Sequence, residues 1–415
     1  MNEALSDKLR SLGVKTGAKD ILPPRSDTNG IQNIVDGNFL DSDYGPIFTK
    51  ETLCVNAYTH GSVFFKISPV TSRFTRWADP TLDPSSIDLS TTIFLDTETT
   101  GLAGGTGTIP FMVGLGRFTS QGFLVTQFFM RDPAEERALL DILSRFLAGA
   151  RTIVTYNGKA FDIPILKTRY VLNNLPSPLN MLAHFDLLPL SRRLWKRRLE
   201  NRSLKDIESE IIGFSRDQIE VPGWEIPILY FNFLRTGDAR PLAGVFYHNV
   251  IDIQSLAAIF LLMNKWSENP SGVTTLEPVD ALSLAFLIED TGETAAAADL
   301  YEHLLSVDLP VHYHTELQLR YARILKRSGR YDRAAEVLFS DELHTELQVM
   351  IQLAKVLEHQ QRNYPDALEW TRKAQNLLSE TSPSISPSEA QKMKNDLQKR
   401  YTRLKGKIEN DTAHE

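Results

Sequence analysis

The hydrophobic period of this chain changes once, and that break restricts the folds open to it. Over residues 91–266 short apolar runs alternate with helical stretches, and after Pro270-Ser271-Gly272 no strand-like run remains. Such a pattern describes an α/β region followed by an all-helical one. The 415 residues suit two or three domains. In the first region Thr92-Ile93-Phe94-Leu95 is an apolar strand that stops at Asp96. Residues 111–118 and 123–130 flank Thr119-Ser120-Gln121-Gly122, a hairpin signature. Residues 133–147 have helical periodicity, with Pro133 early and Glu135-Glu136 in the first turn. A buried strand is expected at 152–155, and helices at 161–172, 204–211 and 242–263. Together these segments predict a mixed sheet flanked by helices.

Residues 1–45 are polar and rich in Asp, Asn, Ser and Gly, which predicts an unstructured tail or a segment ordered by a partner. Residues 46–86 read as a β-rich extension, with Thr52-Leu53-Cys54-Val55 and Ser62-Val63-Phe64-Phe65 as a hairpin or two edge strands. The α/β domain is then expected over 87–270 and helical repeats over 278–408. Leu284-Ala285, Gly292, Ala297 and Tyr301 are echoed 37 positions later by Tyr321-Ala322, Gly329, Ala334 and Leu338. A looser third copy holds Leu353-Ala354, Tyr364 and Ala367. Small residues there let paired helices pack closely, as in a tetratricopeptide-type array or a generic stack of helical hairpins.

Three short motifs carry the chemistry. Asp96 and Glu98 lie two apart at a strand end and so project from one face. Two adjacent carboxylates repel unless a cation or proton lies between them, and hard oxygen donors suit Mg²⁺ or Mn²⁺. Alone, the pair fits a solvent-facing strand end better than a metal site; the apolar run before it and Thr100-Gly101-Leu102 after it shift that balance. Asn157 and Asp162 stand where a buried strand enters a helix, where an acid can also serve the helix N-terminus. His248 and Asp252, four apart in a helix, share a face, whereas Tyr247 points away.

In that order and on those elements, the three motifs resemble the DEDD superfamily of 3′–5′ exonucleases. The strings DTETTGLAGGTGT, FMVGLGRF, TYNGKAFDIPILKTR, DLLPLSRRLW and HNVIDIQSL are similar to the YprB-type ribonuclease-H-like exonuclease family, over about residues 93–262 and weakly at His60-Gly61. The resemblance implies a ribonuclease-H-like α/β domain that hydrolyses phosphodiester bonds by a two-metal mechanism. Asp96, Glu98, Asp162 and Asp252 would hold two Mg²⁺ or Mn²⁺ ions, and His248 would be the general base. It also implies that Thr97 and Leu102 contact the terminal nucleotide and that Asn157 positions Asp162 or the substrate. Superfamily members usually place a catalytic His five residues before the last Asp and a catalytic Tyr four before; here the two are exchanged.

Between Asp186 and Lys205 seven basic residues face two acidic ones. Arg192, Arg193, Arg197 and Arg198 surround Trp195, a pattern expected to line a single-stranded substrate path or to be a solvated helix face. Asp186 itself reads better as a structural acid than as a metal ligand. The glycines at 101, 104, 105 and 107 lack the residues of a nucleotide-phosphate loop. The net charge of −7 does not argue against nucleic acid, because residues 278–415 hold 17 basic and 22 acidic residues and the first 277 hold 28 and 30. The expected substrate is RNA or DNA with a single-stranded 3′ end, with a protein partner for the helical repeats. No apolar run has the length of a membrane span, the N-terminus lacks the apolar core of a signal peptide, and the single cysteine, Cys54, fits a reducing cytoplasm. Two other classes share these features. One is a non-catalytic scaffold working through the repeats; the other is a structure-specific endonuclease using the same acids.

Overall fold

The computed structural model describes residues 29–84, 87–101, 106–216, 220–270, 276–339, 346–380 and 386–412. The chain divides into two compact units, the second of which takes residues 193–198 as well as everything from 269 onward. The first unit opens with helix α1 (Ile31–Ile34), β1 (Asn38–Ser42), β2 (Gly45–Val55), β3 (Thr59–His60), β4 (Val63–Phe64) and α2 (Ser72–Ala78). Then come β5 (Thr92–Thr99), β6 (Pro110–Thr119), β7 (Gly122–Phe129), α3 (Glu136–Leu147), β8 (Thr152–Thr155), α4 (Asp162–Leu172) and β9 (Ala183–Asp186). Helices α5 (Leu187–Trp195), α6 (Leu204–Ile207), α7 (Ile226–Thr236) and α8 (Leu242–Glu268) follow.

Seven strands form one mixed sheet in the order β1-β2-β7-β6-β5-β8-β9. The strand β5 is its pivot, antiparallel to β6 and parallel to β8. Helix α8 crosses the sheet face and is buried on almost every side, which is why its apolar residues form no single stripe. It is long and apolar enough to span a bilayer by length and composition, but it serves as a core helix inside the fold. Phe260 packs edge-on against Phe94, with ring centroids 5.5 Å apart. Close approach depends on Gly114 and Gly116 of β6. A Cβ on Gly114 would lie 2.2 Å from Asn249 Oδ1 and Ile253 Cδ1, and one on Gly116 would lie 2.5 Å from Ile253 Cγ2.

The N-terminal part differs from the expectation of a tail and a separate extension. Residues 1–28 lie outside the described residues, but Asn38–Ser42 is already an edge strand paired with β2. Leu40 packs against the hydrophobic core and the half-exposed Phe39 lies edge-on to Phe48, with centroids 5.5 Å apart, so two apolar residues anchor a strand whose others are polar. Residues 52–55 pair with β7 of the main sheet, while the local hairpin joins only β3 and β4. The strand tract around 52–55 therefore belongs to the main sheet instead of preceding it.

The second unit is helical: α9 (Pro278–Asp290), α10 (Thr294–Leu304), α11 (Val311–Arg327), α12 (Tyr331–Leu338), α13 (Leu347–Val356), α14 (Tyr364–Glu380) and α15 (Pro387–Thr412). The repeated turns have a common physical basis. Gly292, Gly329 and Arg362 occupy equivalent places with φ of 89°, 75° and 53°. Ala297, Ala334 and Ala367 are each fully buried where the paired helices meet.

Candidate active site

Asp96 and Glu98 occupy the end of β5 on one face, and Thr97 faces the other way. The Thr97 hydroxyl donates to Asp162 Oδ1 at 2.5 Å. Asp162 is the first residue of α4, where a helix N-terminus favours negative charge. The turn from β8 into α4 needs Asn157 in the left-handed region (φ 67°), followed by Gly158, whose Cβ would lie 2.4 Å from Thr155 Oγ1. Asp186 clamps this turn by accepting the backbone N–H groups of Asn157 at 2.8 Å and Lys159 at 3.0 Å. The reading of Asp186 as a structural acid agrees with these bonds.

Helix α8 supplies the other wall. Asn249 Nδ2 donates to Asp96 Oδ2 at 2.9 Å, while Asn249 Oδ1 accepts from Gln127 Nε2 at 3.0 Å. This amide, fully buried beneath Gly114, orients Asp96; Asn249 stood out in the sequence only as part of a string, and Gln127 not at all. His248 Nε2 lies 3.3 Å from Asp252 Oδ2, one helical turn on. It is His248 that meets Asp252.

A residue with no sequence signal sits at the centre. Arg216, in the segment between α6 and α7, donates to Glu208 through Nε at 2.7 Å and Nη2 at 2.8 Å. It also reaches Glu220 at 3.2 Å and bonds Asp252 Oδ1. Glu208 accepts from Ser255 at 2.6 Å, and the Ser255 hydroxyl lies 2.7 Å from His60 Nε2. His60 stacks on Phe214 at 3.9 Å, and Gly61 lies under Ile212, where a Cβ would come 2.4 Å from the carbonyl oxygen. His60-Gly61 thus supports the loop that delivers Arg216.

The electrostatics are those of crowded carboxylates. Asp96 is pushed well up, first by burial and then by the charges of Asp252, Glu98 and Asp162. Burial and the Asp252 and Asp162 charges likewise lift Glu98 to about 7, and burial lifts Asp162 to about 6 against the Thr97 bond. Asp252 goes the other way: burial opposes its ionisation, but His248 and Arg216 outweigh that and lower it. Burial also opposes an imidazolium at His248, yet the Asp252 bond and the Asp252 and Glu98 charges raise it to about 9. Buried oxygen donors that repel one another fit a hard divalent cation. Among the described residues no three His, Cys, Asp or Glu side chains yet close around one point, and both oxygens of Asp252 are engaged by Arg216 and His248.

These shifts set a pH dependence. A folded-state pKa raised above the unfolded one gives stability that is present below the unfolded value and lost as pH rises through the folded value. Glu98 (4.5 to about 7) and His248 (6.5 to about 9) both have this sign. The metal-free protein is therefore expected to melt at lower temperature as pH rises from about 6 to about 9. Mn²⁺ should raise the melting temperature more at the alkaline end, because it replaces the proton. Parallel curves with Mn²⁺ and with EDTA would contradict this.

The substrate contacts expected from the sequence fare unevenly. Leu102 lies outside the described residues. Asn157 and Arg192 line an open cavity of about 670 Å³ together with Tyr156, Arg202 and Leu204. Trp195 cannot stack a base from where it stands, because it is fully buried. Arg197 pairs with Glu316 at 3.1 Å and lies over the Phe286 ring at 4.5 Å. Arg198 pairs with the buried Asp280 at 2.6 Å, and Arg193 lies 3.7 Å from Asp290. These arginines belong to the helical unit, and their charge is matched there, so the basic strip is corrected to an internal ion-pair seam that leaves Arg192 beside the cavity. Arg198→Ala should cost about 1–2 kcal/mol of stability by stranding Asp280. Urea unfolding measures that; a changed salt dependence of substrate binding with unchanged stability would restore the strip reading.

Residues 93–264 match the RNase_H superfamily. A protein of Bacillus subtilis (strain 168) described as "Uncharacterized protein YprB" is 32% identical over 335 residues, covering 79% of this chain and 77% of its own length.

Proposed function

This chain belongs to the YprB family of proteins with a ribonuclease-H-like domain, and on that footing we propose that it is a metal-dependent 3′–5′ exonuclease acting on single-stranded nucleic acid. The superfamily points to a nuclease, a hydrolase that uses divalent metal and binds nucleic acid. The observation that carries the finer reading is the gathering of Asp96 and Glu98 from β5, Asp162 from α4 and Asp252 from α8 into one electrostatically coupled group, with His248 against the last of them.

Asp96, Glu98, Asp162 and Asp252 would hold two Mg²⁺ or Mn²⁺ ions. Bound there, the ions would supply Lewis-acid activation of water and stabilisation of the leaving 3′-oxygen. Asn249 fixes the orientation of Asp96, and Thr97 does the same for Asp162. His248 holds a proton at Nε2 against Asp252 in the metal-free protein; positive charge bound at the acids would lower its affinity for that proton, which would leave to solvent, and the neutral imidazole could then accept one from the attacking water. The cavity beside Asn157 and Arg192 offers an arginine and an aromatic wall to the strand behind the terminal nucleotide. The helical unit is read as a tetratricopeptide-type array for protein contacts.

The test uses matched linear and circular single strands of RNA and DNA with Mn²⁺. Linear strands are expected to be shortened and circular ones to survive. Cutting of circles would make the chain an endonuclease, and binding of either strand without cutting in any metal would favour the scaffold class. The preferred sugar is read directly from the paired rates.

A further inference from the structure

We infer that Arg216 is a resident competitor of the divalent ion: it holds Asp252 and has to release it before that carboxylate can serve as a metal ligand. The inference rests on the reading of the four acids as metal donors.

Three observations carry it. The first is that Arg216 is built in. Its side chain is 4% exposed, and its guanidinium is held by Glu208, Glu220 and Asp252 together. The second concerns Asp252. One oxygen bonds Arg216 and the other faces His248, so a metal and the guanidinium would contend for the same negative charge. A guanidinium keeps its proton at any ordinary pH, so the competition cannot end by neutralisation; it ends only by movement or by losing the carboxylate.

The third is that release has somewhere to go. Glu208 takes two of the guanidinium bonds and is itself fixed by Ser255 and, through it, by His60. Arg216 can leave Asp252 and keep Glu208 and Glu220, so it gives up one of its three carboxylate partners. An arginine serving only to brace α8 would have no reason to take the single acid that the other three need.

Coupling between two ligands of one group usually spans about 5–150-fold in affinity. Mn²⁺ binding, followed by the loss of free-ion EPR signal in the full-length protein without substrate, should tighten about tenfold or more in Arg216→Gln. Arg216→Lys, which keeps the charge, should stay near wild type. Equal or weaker binding in Arg216→Gln would overturn the inference, because a brace that is removed can only loosen the site. A second measurement needs no variant: the Nε–H resonance of Arg216 in the wild-type protein should shift as Mg²⁺ is added, and an unchanged resonance at saturation overturns the inference even where the Gln variant does not fold. Asp96→Asn separates the two readings. If Mn²⁺ binding ignores Asp96, the metal site itself is wrong and the inference falls with it. If binding depends on Asp96 but not on Arg216, the inference alone falls.

Discussion

Truncating His248 to Ala is expected to lower metal-dependent cleavage about 10²–10⁴-fold, the usual contribution of a positioned acid–base group. The reason is geometric. His248 stands one helical turn before Asp252 and its Nε2 lies 3.3 Å from that carboxylate, so a water bound at the acids would lie beside this ring. Tyr247, the next residue back, does not share that face, and Tyr247→Phe should keep activity within about threefold of wild type. Initial rates of nucleotide release at saturating Mn²⁺ decide between them, with melting curves to show that both variants fold. A dead Phe variant beside an active Ala variant would move the base to the tyrosine.

Gly114→Val is expected to destabilise the protein by about 3 kcal/mol, at the upper end for overpacking a filled core. Its Cβ alone would fall 2.2 Å from Asn249 Oδ1, and Asn249 cannot swing aside cheaply because Gln127 and Asp96 hold both ends of its amide. The damage should reach the site as well as the fold. Asp96 would lose the donor that orients it, so cleavage should fall even at temperatures where the variant is fully folded. Urea unfolding measures the first effect and rates at low temperature the second. A variant as stable as wild type would mean that α8 does not lie as close to β6 as described.

Much of the first unit was legible because its elements follow simple periods. The hairpin around residue 120 and the strand at 152–155 fall within a residue or two of β6, β7 and β8, and the apolar run ending at Asp96 is the first half of β5, which continues to Thr99. Spacing alone also put Asp96 with Glu98 and His248 with Asp252. What was missed depends on contacts that spacing does not encode. Asn38–Ser42 is short, mostly polar and looks like tail; it is a strand because β2 lies beside it, Leu40 meets the core and Phe39 finds Phe48. Trp195 looks like a stacking platform among arginines, yet it lies on the inner side of its helix, and the charges of Arg197 and Arg198 are met by acids more than 80 positions away. Arg216 is the clearest case. It sits in no motif, and its partners Glu208, Glu220, His248 and Asp252 come from three separate segments that only the fold joins.

Asp96, Glu98, Asp162 and Asp252 are expected to do metal-dependent chemistry on a 3′ end. The direct measurement is a time course of a 5′-labelled single-stranded oligonucleotide with the purified full-length protein in Mg²⁺, Mn²⁺ or EDTA. A ladder that shortens one nucleotide at a time from the 3′ end, lost in EDTA and in Asp96→Asn, is the predicted result. A substrate that stays intact in every metal, or is cut equally well in EDTA, would contradict it.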